Sequence, residues 1–206
     1  TKLKLQEVFS NSNKSLRRMT FKECFEYVRS DCYRYEGKVP SFSQVLQCYW
    51  NEVGFRFTFW FRLAKCSNPI ISIPARIIAR HKRHKYHIEI LWPTKIGYGL
   101  FIKHGGPCVI NASAVIGNTV DIFQYATIGS SFFHAAHIGN DVYIGPSVSI
   151  VEGVNIGDGV TIGAGAVVVK DVPGGVTIAG VPAKIISHKE PGRLVVNKWK
   201  VARSGK

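Results

Sequence analysis

The chain has 206 residues and a formal net charge of +14, from 27 Lys and Arg against 13 Asp and Glu. This length allows one or two domains with a substantial buried core. The positive charge favours anionic partners, but no signature of a nucleic-acid-binding fold accompanies it, so we expect no nucleic acid partner.

Five cysteines are spread along the chain without the paired spacing of zinc or redox motifs. Their odd number argues against a disulfide framework, so we expect reduced thiols and no metal site. No N-terminal hydrophobic signal is visible, and no run reaches the roughly eighteen apolar residues of a membrane-spanning helix. These features favour a cytoplasmic protein, with the inner face of the membrane as an open alternative.

Residues 1–89 predict a helical, strongly basic N-terminal region with seventeen Lys and Arg against seven Asp and Glu. The first helix is expected to begin after Thr20, which is spaced from Glu23 as in a capping box, and to end at Gly37. Two further helices are expected over residues 41–66 and 72–87.

Aromatic, aliphatic and basic residues alternate over residues 54–85, and two interpretations stay open. In the first, the apolar side chains pack on the following domain or across an oligomer interface. The residues concerned are Phe55, Phe59, Trp60 and Leu63. In the second, the segment forms a basic, aromatic-rich surface that contacts an anionic membrane or a polyanionic acceptor.

From residue 90 onward, an aliphatic residue returns every six positions, with a step of eight after Ile102 and a step of ten after Ile128. The thirteen anchor positions are Ile90, Ile96, Ile102, Ile110, Ile116, Ile122, Ile128, Ile138, Ile144, Ile150, Ile156, Ile162 and Val168. A six-residue period predicts a mainly β fold, a parallel β-helix over residues 90–173. A basic C-terminal extension follows over residues 174–206.

Three hexads close one triangular coil, so every third anchor stacks on the same face, about 4.8 Å from the last. One such stack contains Ile102, Ile122, Ile144 and Ile162. One edge of the prism is then lined by the residues two positions later, which are His104, Gln124, Pro146 and Ala164.

Two segments resemble the serine acetyltransferase-like branch of the hexapeptide-repeat acyltransferases, which fold as left-handed parallel β-helices. They are “HGGPCVINASAVIGNTVDIFQYATIG” at 104–129 and “IGAGAVVVKDVPGGVTIAGVPAKII” at 162–186. That branch includes many O-acetyltransferases of capsular and other surface polysaccharides. The resemblance therefore implies a left-handed β-helix that uses acetyl-CoA as co-substrate.

The resemblance implies that acetyl-CoA lies along the edge of the prism that begins at His104. His104 is then at the reacting end, as general base. A neutral imidazole is suited to removing the proton of an attacking hydroxyl. The family commonly has an acidic residue beside this histidine, whereas here the neighbour is Lys103. The residues assigned to acetyl-CoA are Gly145, Pro146, Gly163, Ala164, Val169, Lys170 and Lys184.

The acceptor is expected to contact His134, Lys103, Gln124 and Tyr125. His134 lies in the second break of the repeat, as does His137. Because Lys103 replaces the family's acid, no long Arg-bearing loop precedes His137 and the flanks of the repeat are basic, we expect a saccharide hydroxyl of a capsular or other surface polysaccharide, or of its precursor. Serine O-acetyltransfer for cysteine biosynthesis and a non-catalytic scaffold stay open as alternatives.

The resemblance also bears on assembly, since members of the family are usually trimers with active sites between neighbouring prisms. The two breaks in the repeat emerge from adjacent edges of the prism. One subunit's second break could therefore reach His104 of the next subunit, so we expect a homotrimer.

Overall fold

The computed structural model describes residues 19–131 and 134–200. In these ranges, four helices precede fifteen short strands. The helices are α1 (Phe21–Glu36), α2 (Phe42–Asn51), α3 (Val53–Leu63) and α4 (Pro69–Tyr86). Among the described helices, none combines the length and the apolar character that crossing a membrane requires.

The predicted capping box at the start of α1 is confirmed. The Thr20 hydroxyl accepts a hydrogen bond from the Glu23 N–H at 3.2 Å, and the Glu23 carboxylate accepts one from the Thr20 N–H at 2.7 Å. Gly37 ends the helix in the left-handed conformation, at φ 71°. Both helix ends therefore follow from local side-chain chemistry.

The single helix expected over residues 41–66 is wrong, because the chain breaks at Glu52. This residue has an extended backbone (φ −106°, ψ 111°) and separates α2 from α3. The break allows α3 to approach the strands closely: a Cβ added at Gly54 would lie only 2.0 Å from the Ile102 carbonyl oxygen. Tertiary contact thus overrides helical propensity at this position.

Three sheets form the faces of a triangular prism. Face 1 contains β1 (Ile88–Ile90), β4 (Cys108–Ile110), β7 (Thr127–Ile128), β10 (Ser149–Ile150) and β13 (Val167–Val168). Face 2 contains β2 (Lys95–Ile96), β5 (Val115–Ile116), β8 (His137–Ile138) and β11 (Asn155–Ile156). Face 3 contains β3 (Phe101–Ile102), β6 (Asp121–Ile122), β9 (Tyr143–Ile144), β12 (Thr161–Ile162), β14 (Thr177–Ala179) and β15 (Lys184–Ser187).

The aliphatic anchors fill the prism as the six-residue period predicts. Ile96 is the most exposed of the thirteen, at 6%. On face 3, Ile102 pairs with Ile122, Ile122 with Ile144 and Ile144 with Ile162, which confirms the predicted stack. Because each buried isoleucine contributes about 1.5–3 kcal/mol, this ladder is the main source of the fold's stability.

A buried ion pair joins the helices to the first coil of the prism. The Arg62 guanidinium donates to both carboxylate oxygens of Asp31, at 2.8 and 2.9 Å. It also donates to the carbonyls of Ile96 and Gly97, at 2.8 and 2.7 Å, while Asp31 accepts from the Leu100 N–H at 2.8 Å. Removing either charged partner would leave the other buried and uncompensated.

The α3 residues named in the packing interpretation do pack, but among the helices and not on the prism. Phe55 and Leu63 are 0% and 7% exposed, in clusters formed by the helices rather than by the prism. Phe57 and Phe61, which the sequence analysis did not single out, are the α3 side chains that join the core of the prism.

The C-terminal segment returns along the prism to the helices. β15 pairs antiparallel with β14 at the end of face 3. Further on, the Val196 carbonyl accepts a hydrogen bond from Arg34 Nε at 3.1 Å, and the Trp199 ring packs edge-on against Tyr33 at 5.3 Å. This segment therefore closes over α1.

Candidate active site

Two corners of the prism hold most of the residues that the sequence singled out. Corner A comprises the turns from face 3 to face 1, at residues 103–107, 123–126, 145–148 and 163–166. Corner B comprises the turns from face 1 to face 2, at residues 111–114, 129–131, 134–136, 151–154 and 169–171. Within one subunit, the width of face 1 separates the two corners.

His104 lies at corner A in a 3-10 turn, Lys103–Gly105, directly after β3. The third residue after the anchor is regularly left-handed at this corner, as at Gly105, Tyr125, Ser147 and Gly165. In the first coil His104, the second residue, is left-handed as well, at φ 62°. This conformation costs a non-glycine residue about 1 kcal/mol or more, and such strain is concentrated at functional sites. The histidine is exposed on the outside of the turn.

The helices hold the His104 turn in place. A Cβ added at Gly105 would lie 2.5 Å from the Cβ of Val53, at the start of α3. The Tyr35 hydroxyl of α1 donates a hydrogen bond to the Ile102 carbonyl at 3.1 Å. Sequence reasoning missed this support, although the glycine of “NEVGF” inside a predicted helix was a signal of close approach.

Aromatic rings surround the turn. The His104 ring stands edge-on to Phe123 at 6.1 Å, and Phe123 packs against Tyr143 at 4.9 Å. The Lys103 ammonium lies 5.2 Å from the centre of the Phe101 ring on face 3. Lys103 and His104 are thus both oriented by neighbouring rings.

The predicted edge column is shifted at its first member. Gly106, rather than His104, is stacked on Gln124, since a Cβ added at Gly106 would lie 2.7 Å from the Gln124 Cβ. The Tyr125 N–H donates to the Pro107 carbonyl at 2.5 Å, which fixes the same register. The two extra residues of the long step are therefore taken up by the 3-10 turn, and His104 projects beside the column.

Gln124 and Tyr125 differ in environment although they are adjacent. The Gln124 Oε1 atom is shielded from solvent and has no hydrogen-bond donor among the residues that the structure describes. Tyr125 is 62% exposed and left-handed at φ 62°. Gln124 therefore offers an acceptor atom next to the His104 turn, whereas Tyr125 presents its ring to solvent.

The structure brings together five of the seven residues expected at acetyl-CoA. Four of them lie in successive turns of corner A, namely Gly145, Pro146, Gly163 and Ala164. Lys184 pairs with Ala179 on β14, whose Cβ lies 3.1 Å from the position of a Cβ added at Gly163. Val169 and Lys170 lie at corner B instead, on the other side of face 1.

His134 and His137 lie on the second break of the repeat, at corner B and on face 2. The His134 N–H donates to the Ser130 Oγ at 2.9 Å, and its carbonyl accepts from the Gly153 N–H at 2.6 Å. Both imidazoles are exposed and line a cavity of about 240 Å³. Two residues of this break, 132 and 133, lie outside the described residues.

A buried carboxylate on face 3 was not singled out from the sequence. Asp121 is 3% exposed and accepts a hydrogen bond from the Arg34 guanidinium at 2.5 Å. Burial raises the pKa of Asp121 to about 6, and the Arg34 charge opposes the rise. The available signal was an acid directly before the anchor Ile122, because the matching positions on face 3 hold the uncharged residues Phe101, Tyr143 and Thr161.

Comparison with known proteins agrees with this geometry. The family model for “Bacterial transferase hexapeptide (six repeats)” matches residues 135–170. A serine acetyltransferase of Helicobacter pylori is 39% identical over 117 residues, which are 55% of this chain and 68% of that protein. The chloroplastic serine acetyltransferase 1 of Arabidopsis thaliana is 30% identical over 179 residues, which are 83% of this chain and 56% of that protein.

Solved structures show the same architecture. The serine acetyltransferase of Neisseria gonorrhoeae in complex with serine is 26% identical, with a TM-score of 0.67 over 86% of this chain and 73% of that one. A serine acetyltransferase in complex with CoA has a TM-score of 0.68 over 89% of this chain and 76% of that one. At 23% identity, the second likeness concerns the fold alone.

The expectation of a saccharide acceptor is wrong, because these relatives and solved structures are serine acetyltransferases. It rested on Lys103, on a missing loop and on the basic flanks of the chain. The structure weakens the argument from charge, since Arg34 and Arg62 of the basic N-terminal region are buried in ion pairs with Asp121 and Asp31. The Lys103 side chain lies over the Phe101 ring of the preceding strand β3, so its presence does not define the acceptor class.

The likeness extends beyond the repeat into the helical region, as the 83% coverage of this chain by the Arabidopsis protein requires. In the other direction, the chain spans 56% to 59% of the length of several curated serine acetyltransferases. It covers 68% of the Helicobacter pylori protein at 39% identity. The repeat, the triangular prism and this match show that the chain belongs to the serine acetyltransferase family of hexapeptide-repeat transferases.

Proposed function

We propose that the protein transfers the acetyl group of acetyl-CoA to the hydroxyl of L-serine, which yields O-acetylserine and CoA. The observation that carries the proposal is the match to serine acetyltransferases over both the helices and the prism. The exposed His104, held by the helices at the foot of corner A, supplies a base where such a reaction needs one.

In the proposed reaction His104 acts as general base. The serine oxygen attacks the thioester carbonyl while the neutral imidazole takes the hydroxyl proton. The N–H groups of Gly105 and Gly106 are the candidate donors to the oxyanion of the tetrahedral intermediate. When the intermediate collapses, CoA leaves as the thiolate and the imidazolium returns the proton to it.

In this proposal acetyl-CoA lies along corner A. The small residues Gly145, Gly163 and Ala164 leave space there for an extended pantetheine arm, which spans about 14 Å over three coils. Lys184, at the far end of the same column, is proposed to contact a phosphate of acetyl-CoA. Val169 and Lys170 would reach the groove from a neighbouring subunit.

The acceptor serine is proposed to lie between the turn and Gln124. A rotation of the Gln124 side chain would bring its unpaired Oε1, which is shielded here, to the serine ammonium as an acceptor, and the Lys103 ammonium can pair with the serine carboxylate. Tyr125 would cover the site from the solvent side. This arrangement gives Lys103 a role that an acidic residue could not fill.

A homotrimer is part of the proposal. His104 and His134 lie at different corners of one prism, so a neighbouring subunit is needed to bring them together. Packing corner A of one subunit against corner B of the next would close the groove around acetyl-CoA and serine.

The direct test is to incubate the purified protein with acetyl-CoA and L-serine, and to measure O-acetylserine by mass spectrometry and free CoA with a thiol reagent. We expect both products in equal amounts. L-alanine, which lacks only the hydroxyl, is the matched control and should give neither. Release of CoA without O-acetylserine at saturating serine would overturn the proposal.

A further inference from the structure

One side of α4 exposes large apolar residues. Ile70, Ile73 and Ile77 are 82%, 54% and 66% exposed. Their spacing of three and four places them on one face of the helix, which we call the isoleucine stripe. A contiguous apolar surface of this kind is typical of an interaction site.

The opposite side of α4 explains why the stripe faces outward. Ser72, Ala75 and Ala79 are small and buried, and Ala75 packs in the cluster that contains Leu63 and Ala64 of the α3 end. These residues bring α4 close to α3. The isoleucines are therefore held away from the body of the protein.

The charge of α4 is entirely positive. Residues 69–86 contain five Lys and Arg and no Asp or Glu. Beside the stripe, three arginines one turn apart line a cavity of about 230 Å³ together with Trp92. These are Arg76, Arg80 and Arg83. Arg76 stacks on the Trp92 ring at 4.1 Å. None of the three forms an ion pair with a described carboxylate.

We propose that α4 binds the surface of an anionic membrane, with the isoleucine stripe in the acyl boundary and a lipid phosphate in the arginine-lined cavity. An apolar face flanked by Lys and Arg is the composition of helices that lie in the membrane interface. Arginine is suited to the phosphate because the N–H donors of its planar guanidinium match the spacing of the phosphate oxygens. The inference is independent of the acetyl transfer proposed above.

Charge decides between a membrane and a second copy of the chain as the occupant. Two α4 helices packed stripe to stripe would bring five positive side chains of each together without any acid of their own to offset them. An anionic lipid surface instead attracts each of these charges while it buries the isoleucines.

The test is co-sedimentation of the full chain with vesicles of phosphatidylglycerol and phosphatidylcholine in equimolar amounts. We expect binding at low salt, and little binding to vesicles of phosphatidylcholine alone. Arg80→Glu should weaken binding by at least about fivefold, since one cation near the surface contributes about that factor. Lys189→Glu, the same charge change at an exposed site in the C-terminal segment, should have a smaller effect.

A second pair of variants tests the apolar contribution. Ile77→Ser should weaken vesicle binding by about tenfold, whereas Ile186→Ser should leave it unchanged. The two side chains are matched, at 66% and 65% exposure. Circular dichroism and acetyl transfer to serine should be the same for the Ile77 variant and the parent chain.

Two outcomes would overturn the proposal. The first is absence of binding to the anionic vesicles at low salt. The second is a change in the oligomeric mass of the Ile77 variant, measured by sedimentation equilibrium, with vesicle binding unaltered, which would assign the stripe to a contact between copies. Neither outcome bears on whether serine is acetylated.

Discussion

At the scale of single residues, the Gln124 side chain has an acceptor oxygen whose hydrogen-bonding capacity is unmet. Its Oε1 is shielded, has no described donor and lies beside the His104 turn. If serine supplies the donor, Gln124→Met should raise the KM for serine by about tenfold or more, because the bond to a charged group is lost. The KM for acetyl-CoA should stay within about twofold. Steady-state kinetics with each substrate varied in turn will check this, and equal effects on both KM values would contradict the assignment.

Asp121 makes the stability of the protein depend on pH. Burial raises its pKa from 3.8 to about 6, so between these values the folded chain keeps a proton that the unfolded chain has lost. This contribution to the free energy of unfolding therefore falls as the pH rises from about 4 to about 6, by up to about 3 kcal/mol, and is constant above that range.

Urea unfolding of the parent chain and of Asp121→Asn at a series of pH values isolates this effect. The difference between the two free energies should fall as the pH rises through this window and level off above about 6. A difference that rises with pH over the same range would mean that Arg34 outweighs burial and holds the pKa of Asp121 below its ordinary value.

At the scale of elements, the contact between α3 and the end of β3 holds the His104 turn in position. Gly54→Ala would place a Cβ 2.0 Å from the Ile102 carbonyl and 2.9 Å from the Tyr35 hydroxyl. Despite the better helix propensity of alanine, we expect a net destabilisation of about 2 kcal/mol or more, since backbone atoms must move. Gly129→Ala is the control, because the nearest described atom would be 4.0 Å from its Cβ.

Denaturant unfolding of both variants, together with their kcat values, checks this prediction. Gly54→Ala should also lower kcat, because the atoms it displaces lead directly into the His104 turn. If the two glycine variants have the same stability, α3 does not support the turn as tightly as the contacts indicate.

The elements of this fold differ in how far they could be predicted. The prism follows from thirteen aliphatic anchors, since a six-residue period has few structural solutions. The capping box at Thr20 is equally local. The break at Glu52 could not be predicted, because it depends on a contact between Gly54 and Ile102, which lie far apart in the sequence.

The candidate site likewise has features that the sequence predicts and features that it does not. Counting from the anchors correctly predicts that His104 and Gln124 share an edge, but it cannot reveal that Gly106 occupies the stacked position. The acceptor was predicted wrongly from Lys103, because a single residue type beside the histidine does not define the acceptor class. The ion pair of Arg34 with Asp121 was missed because its partners are remote in the chain.

At the scale of the whole molecule, the distance between the corners makes a prediction about assembly. If His104 of one subunit and His134 of the next form one site, His104→Ala and His134→Ala should each reduce acetyl transfer to serine. Mixed trimers from coexpression should then regain a substantial fraction of the parent activity, since some interfaces carry both histidines. Activity no higher than the average of the two variants would contradict a shared site.

In the proposed reaction His104, held between the helices and the prism, is the base for transfer to serine. The measurement that tests this claim most directly is kcat/KM for serine in His104→Ala, followed by CoA release, with the exposed tail residue His188→Ala as control. We predict a fall on the order of a hundredfold or more for the first variant and no change for the second. Transfer to serine by His104→Ala at the rate of the parent chain would contradict the account.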